Sequence, residues 1–195
     1  MIYKTHHVAA LIGAESLLIH THQPVLTWQT AVALLGAYFA GPAADVDQPQ
    51  SYVGQRIWPL AIALSGLGIR HRTLTHSLLL LAGLWGVLQL LPVSDVIRWA
   101  IWIGYASHPL IDLFNEEGVE LLWPLRIRVR LLPRFLSIPV ESFAETLLRG
   151  VMTLCSFWLL TLYLHPDVTQ LPLLGPITDG IIRLMPSAIQ TFINK

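Results

Sequence analysis

Residues 71–91 read HRTLTHSLLLLAGLWGVLQLL, and Pro92 follows. From residue 74 onwards this run carries no Asp, Glu, Lys or Arg. As a helix it comes close to the roughly 30 Å hydrocarbon core of a bilayer. Its first part sets His71, Arg72 and His76 at the mouth of that helix, and ionisable groups beside a membrane segment tend to mark function. The stretch therefore points both to a membrane chain and to the place where its chemistry should be sought.

The rest of the chain extends the pattern. No charged residue stands between Glu15 and Asp45, a window that holds a first helix (residues 8–19), a polar turn (20–24) and a second helix ending near Gly41 and Pro42. Residues 45–56 read as a loop. Residues 57–69 are apolar, but thirteen residues reach only about 20 Å as a helix, which predicts a re-entrant or interfacial segment. Ser94 and Asp95 introduce a helix over 96–114. Ser142-Phe143-Ala144-Glu145 is a capping-box pattern before a fifth helix over 146–164. Residues 180–193 read as a further interfacial helix.

Composition agrees. Apolar residues make up 54% and charged residues 12% of the 195, against about 45–50% and 25% in soluble domains. Length allows one domain, spanning residues 1–195. Net charge is zero, which gives no bulk attraction to nucleic acid. Cys155 is the single cysteine, so an internal disulfide and a thiolate zinc cluster are both excluded.

Arg126, Arg128 and Arg130 alternate with Ile127, Val129 and Leu131, and this period of two predicts a short hairpin with one basic face. Such a face would anchor the chain to anionic headgroups. Its functional alternative is to guide a phosphorylated substrate. The positive-inside rule places this loop in the cytoplasm. Threading five spans from there brings His6, Asp45 and Asp47, His71 and His76, and His108 and Asp112 to the cytoplasmic end of the bundle.

His108 and Asp112 are one helical turn apart and share a face, as metal ligands or as a hydrogen-bonded pair. His71 and His76 converge only if His71 lies in the turn before the helix and Thr73 or Thr75 caps it. Arg72 would then face the same pocket. Asp45 and Asp47 form an Asp-x-Asp suited to hard cations. His6 competes with its neighbour His7 for one position. Imidazole and carboxylate without thiolate suit zinc, manganese, iron or nickel. This many ligands fits two ions about 3.5–4 Å apart. Blander readings apply elsewhere: Glu15 as a structural bond to another helix, Glu116, Glu117 and Glu120 as a solvated rim, His20 and His22 as solvated turn residues.

At Thr5-His6, Asp45-Val46-Asp47 with Ser51, His71 to Ser77, and Ser107-His108-Pro109-Leu110-Ile111-Asp112, the chain resembles the YdjM-like family, bacterial inner-membrane proteins taken to be metal-dependent hydrolases. Gly118 and Leu122-Trp123-Pro124 continue the resemblance, which covers roughly residues 5 to 145. Ala44 replaces a proline usual in the family, a change in backbone stiffness and not in a ligand. The family's distant similarity to helical phospholipases and nucleases with multinuclear zinc implies phosphoester hydrolysis.

The expectation is an all-α polytopic transmembrane bundle of about five spans, with short re-entrant or interfacial helices and a small basic hairpin. It sits in the inner membrane with its site facing the cytoplasm. His6, Asp45, Asp47, His71, His76, His108 and Asp112 hold one or two divalent metals, zinc or manganese. Arg72, Asp47 and His76 are the catalytic candidates, and Thr75 and Ser77 orient ligands. Arg126, Arg128 and Arg130 guide the substrate. Membrane lipids are the surroundings and a lipid-borne phosphoester the substrate. The rivals are a non-catalytic metal-binding or metal-transport protein, and a structural protein whose His–Asp contacts lock helices together.

Overall fold

The computed structural model describes residues 1–24 and 27–164. These residues form six α-helices: α1 (Tyr3–His20), α2 (Trp28–Ala40), α3 (Trp58–Gly66), α4 (Leu78–Gln89), α5 (Asp95–Asp112) and α6 (Phe143–Leu164). Two tight 3-10 turns, Gly41–Asp47 and Leu74–His76, join the set, and no β-strand forms among the described residues. The all-α class stands.

Small residues let the central helices approach closely, as in membrane bundles where lipid offers no hydrophobic drive between helices. Helix α5 packs on both α1 and α2, and α6 packs on α1. The core between them is Ala14, Ala33, Ala37 and Ala100 with Leu18, Ile97 and Tyr163. A Cβ at Gly104 of α5 would lie 2.6 Å from the carbonyl oxygen of Ala37 in α2. One at Gly41 would lie 2.7 Å from the carbonyl oxygen of His6. Large apolar side chains point outwards instead, among them Leu35, Phe39, Leu79, Leu154 and Phe157.

Several sequence expectations change. The run at 74–91 is helical only from Leu78 to Gln89, about 18 Å, because residues 74–76 tighten into a 3-10 turn. The Ser77 hydroxyl accepts from Leu80 N (3.2 Å), so Ser77 caps this helix in place of Thr73 or Thr75. Among the described residues, the helix long and apolar enough to cross a membrane by length and composition is α6, with 22 residues. Helices α1 and α5 reach 18 residues but carry buried polar side chains. Helix α1 begins at Tyr3, earlier than expected, and takes His6 and His7 into the helix.

The basic hairpin does not form. Its segment makes only isolated bridges, Val119 with Val129 and Asn115 with Ile138. Its backbone bonds instead to the end of α5 and to the His71 turn. Leu131 N donates to Leu113 O (2.9 Å), Ile138 N to Phe114 O (2.9 Å) and Glu120 N to Arg72 O (3.0 Å). The loop is thereby tied to the end of the bundle that carries the histidines. The helix expected at 180–193 lies outside the described residues.

Candidate metal centre

Four segments converge on one buried cluster: the start of α1, the turn Gly41–Asp47, the stretch from His71 to His76, and the last turn of α5. His6, His76, His108 and Asp112 are buried almost completely. Two triads have ligand atoms close enough to share an ion, His6 with His108 and Asp112, and Asp45 with His71 and His76; within each, the atoms lie within 4.8 Å of one another. The triads adjoin. His108 Nε2 is 3.1 Å from Asp45 Oδ1, without the alignment a hydrogen bond needs, and His76 Nε2 is 3.8 Å from Asp112 Oδ2.

The histidines are held from behind. His108 Nδ1 donates to the Gly41 carbonyl (2.7 Å), and His71 Nδ1 to Asp47 Oδ1 (2.9 Å). Thr75 Oγ1 donates to Asp47 Oδ2 (2.5 Å) and accepts from His76 Nδ1 (2.9 Å). These partners assign a proton to Nδ1 in all three rings, so in the neutral form of each ring the free lone pair is on Nε2. The Nε2 atoms of His6, His76 and His108 are buried with no hydrogen-bond partner. A buried polar atom left so costs about 1–3 kcal/mol. Three in one cluster, beside two carboxylates, fit a divalent cation. Nitrogen and oxygen donors without sulfur agree with zinc or manganese.

Electrostatics point the same way. Burial would raise the Asp45 carboxyl, but His108, His6 and His76 around it outweigh that and hold it below the usual carboxylate range. Burial, with His108 adding to it, pushes the His76 imidazole well below its ordinary value. Asp45 is thereby an ionised carboxylate, the form in which it could ligate a metal.

Each expected residue has a definite place. His6 stacks on His108 with ring centroids 3.5 Å apart, and its Nε2 lies 3.5 Å from Asp112 Oδ1. His7 turns away, its Nδ1 bonded to the Tyr38 carbonyl (2.7 Å), so the competition goes to His6. Both oxygens of Asp47 are engaged, Oδ1 by His71 and Oδ2 by Thr75. Arg72 is buried at a positive φ of 63°; its Nε donates to Asp112 Oδ2 (2.9 Å), and its Nη1 to Glu117 Oε2 (2.8 Å) and Asn115 Oδ1 (3.3 Å). Thr75 bridges Asp47 and His76. Ser77 touches no ligand: its hydroxyl donates to Leu74 O (2.7 Å) and caps α4.

The arginine loop also differs from its simplest reading. Arg128 and Arg130 donate to the carbonyl oxygens of Glu117 (3.2 Å) and Glu116 (3.0 Å), while Arg126 is exposed. Glu120 is no solvated rim residue: it is buried, 3.3 Å from Arg70 and 3.7 Å from Arg128. Glu15 does bond another helix, accepting from Ser156 Oγ (2.9 Å).

The pattern of the family described as YdjM inner membrane protein matches residues 1–167. The chain belongs to this family. It is 32% identical to the uncharacterized protein YvsG of Bacillus subtilis over 166 residues, which cover 85% of this chain and 98% of that one. It is 39% identical to the inner membrane protein YdjM of Escherichia coli over 98 residues, 45% of this chain and 46% of the relative. The inner membrane protein YdjM of Shigella flexneri matches to the same extent. No solved structure matches the chain. Inner-membrane kinship accords with the apolar composition and with α6.

Residues outside the expected set also build the centre. Tyr105 donates to the Thr75 carbonyl (2.6 Å), fixing the turn that carries His76. Its signal was present, since residues 105, 108 and 112 share one face of α5. Asn115 accepts from Arg72 and from Glu117 N (3.1 Å), and nothing in the sequence around it marks that role. The Met1 amino group donates to Asp112 Oδ1 (2.7 Å).

Proposed function

We propose that this protein is a membrane-bound metal-dependent hydrolase that cleaves a phosphoester of a lipid-borne substrate at the cytoplasmic face. One observation carries the reading: three buried imidazole Nε2 atoms, unpartnered, face Asp45 and Asp112 in a cluster assembled from four segments. His6, His108 and Asp112 would hold one ion and Asp45, His71 and His76 a second. Divalent ions there would supply Lewis acidity towards a phosphoryl oxygen. Asp47 and Thr75 keep His71 and His76 in the ligating tautomer. Arg72, fixed by Asp112, brings a positive charge to the edge of the cluster, where it would offset charge developing on phosphate.

In this reading α1, α2, α4, α5 and α6 cross the bilayer, with α4 the shortest crossing and α3 lying at the interface, where its exposed Trp58, Leu60 and Ile62 meet lipid. The arginine loop sits at the cluster's end of the bundle, which under the positive-inside rule supports a cytoplasmic orientation for that end. A transporter would carry its polar groups through the bundle; clustering at one end supports hydrolysis over transport.

Metal analysis of the detergent-purified protein, with His76→Ala and Asp112→Ala beside it, tests the centre. The wild type should hold stoichiometric zinc or manganese, and each variant should lose metal while its helical circular dichroism persists. Wild-type protein that stays free of metal after incubation with either ion would sink the proposal. Metal-dependent release of product from a panel of phospholipids and isoprenoid phosphates tests the chemistry. A loaded protein that turns over none of them is a binding protein and not an enzyme.

A further inference from the structure

Glu145 stands in the first turn of α6 with its side chain completely buried, far in sequence from every residue of the centre. Its Oε1 accepts from the backbone N–H of Ile2 (2.6 Å) and from Thr5 Oγ1 (2.9 Å), while its Oε2 accepts from Glu141 N (2.8 Å). A carboxylate removed from water needs such partners, and removing a charged acceptor leaves buried donors unpaired. Two of its three donors belong to the first residues of the chain. The start of α1 has no side-chain cap at Ile2, so it is held by Glu145 together with the Met1 amino group bonded to Asp112.

Thr5 immediately precedes His6, and both are fully buried. His6 makes no hydrogen bond through either ring nitrogen. The other three histidines of the centre are each tied back through Nδ1 to Gly41, Asp47 or Thr75. His6 alone among the four has no such tether. Its aim depends on stacking against His108 and on where the start of α1 is held.

We infer that Glu145 is the positioning residue for His6: by clamping Ile2 and Thr5 to the start of α6, it sets the metal triad of His6, His108 and Asp112 and leaves that of Asp45, His71 and His76 alone. This rests on the metal-centre reading above. It makes the approach of α6 to α1 a condition for filling one half of the centre. The second half needs no contact with Glu145, since its ligands are held by Asp47 and Thr75.

Equilibrium dialysis of the full chain against zinc alone separates the outcomes. Glu145→Ala should weaken one of two ions by about tenfold to a hundredfold, the usual loss when a group orienting a ligand is removed. The other ion should bind as in the wild type and so serve as an internal check that the bundle is folded. Glu145→Gln, whose amide oxygen can still accept from Ile2 and Thr5, should restore most of the lost affinity. Thr5→Val, which removes one bond and leaves the carboxylate, should weaken the same ion by less, and it covers the case in which Glu145→Ala does not fold. Two ions bound as tightly in Glu145→Ala as in the wild type would overturn the inference, as would equal weakening of both. Wild-type protein that takes up no zinc would fail the metal reading itself, and this inference with it.

Discussion

The helix whose sequence reads most plainly as a membrane span, α4, packs lightly, and α5, which carries His108 and Asp112, packs tightly. Of α4's twelve residues only Leu81 and Leu88 are buried, and its leucines Leu78 and Leu79 are exposed. Helix α5 buries Ile97, Ala100, Gly104, Tyr105, Ala106, His108, Pro109 and Asp112. In a water-soluble domain the leucine-rich element would be the core and the His- and Asp-bearing one the surface. Here the order is reversed, with bulk apolar side chains facing outwards and small and polar ones inwards, which is the arrangement the proposed multi-pass bundle requires. The contrast also separates two ways of reading such a chain. Hydropathy finds the periphery, while alanine, glycine and histidine spacing finds the interior.

The largest expected break in that contrast comes from adding one methyl group to α5. Gly104→Ala would place Cβ 2.6 Å from Ala37 O and 2.7 Å from Ala37 Cα, and backbone cannot turn aside as a side chain can. Overpacking of this kind costs about 1–3 kcal/mol or more. Thermal unfolding in detergent should show a clear loss of stability. Since Gly104 is one turn from His108, metal content should fall with it. An unchanged melting temperature would mean that α2 and α5 do not meet at this point.

How far the sequence could be read follows the same division. Membrane character and the all-α class were legible because they rest on composition and on runs of apolar residues. The pair His108 and Asp112 was legible because helix spacing places it on one face; the meeting of His71 and His76 was expected from a cap at Thr73 or Thr75, a place Ser77 takes instead. The length of α4 was not legible: the 3-10 turn at Leu74–His76 is set by Asp47 bonding to Thr75 and by Tyr105 bonding to the Thr75 carbonyl, both contacts between segments distant in sequence. The arginine stretch misread for a related reason. Its alternation is real, but its backbone finds partners at Leu113 and Phe114, and no local propensity announces that. The division of labour between Asp45 and Asp47 was equally hidden, since Asp-x-Asp spacing alone offers both to the metal.

That last pair gives a second, intermediate test. Thr75→Val keeps the shape of the side chain but deprives Asp47 Oδ2 of its donor and His76 Nδ1 of its acceptor. The expected cost in stability is about 1–3 kcal/mol for the unsatisfied buried groups. Affinity for the ion held by Asp45, His71 and His76 should fall by about tenfold to a hundredfold. Zinc titration reads the second quantity and thermal unfolding the first. If affinity holds while stability drops, Thr75 supports the turn and not the ligand.

The smallest effect should carry the opposite sign. Gly86 lies inside α4, and a Cβ built there meets nothing within 4 Å. Gly86→Ala is the same chemical change as Gly104→Ala, but without a neighbour to strike. What remains is the backbone term, which favours alanine over glycine in a helix interior by about 0.5–1 kcal/mol. The variant should therefore be at least as stable as the wild type and should bind metal identically. A destabilised Gly86→Ala would show that α4 is covered on the face that now looks open, by a second protein surface that requires glycine. A stable one, set against a damaged Gly104→Ala, would establish that close helix approach is confined to the α1, α2 and α5 side. That is the side on which His6 and His108 stack.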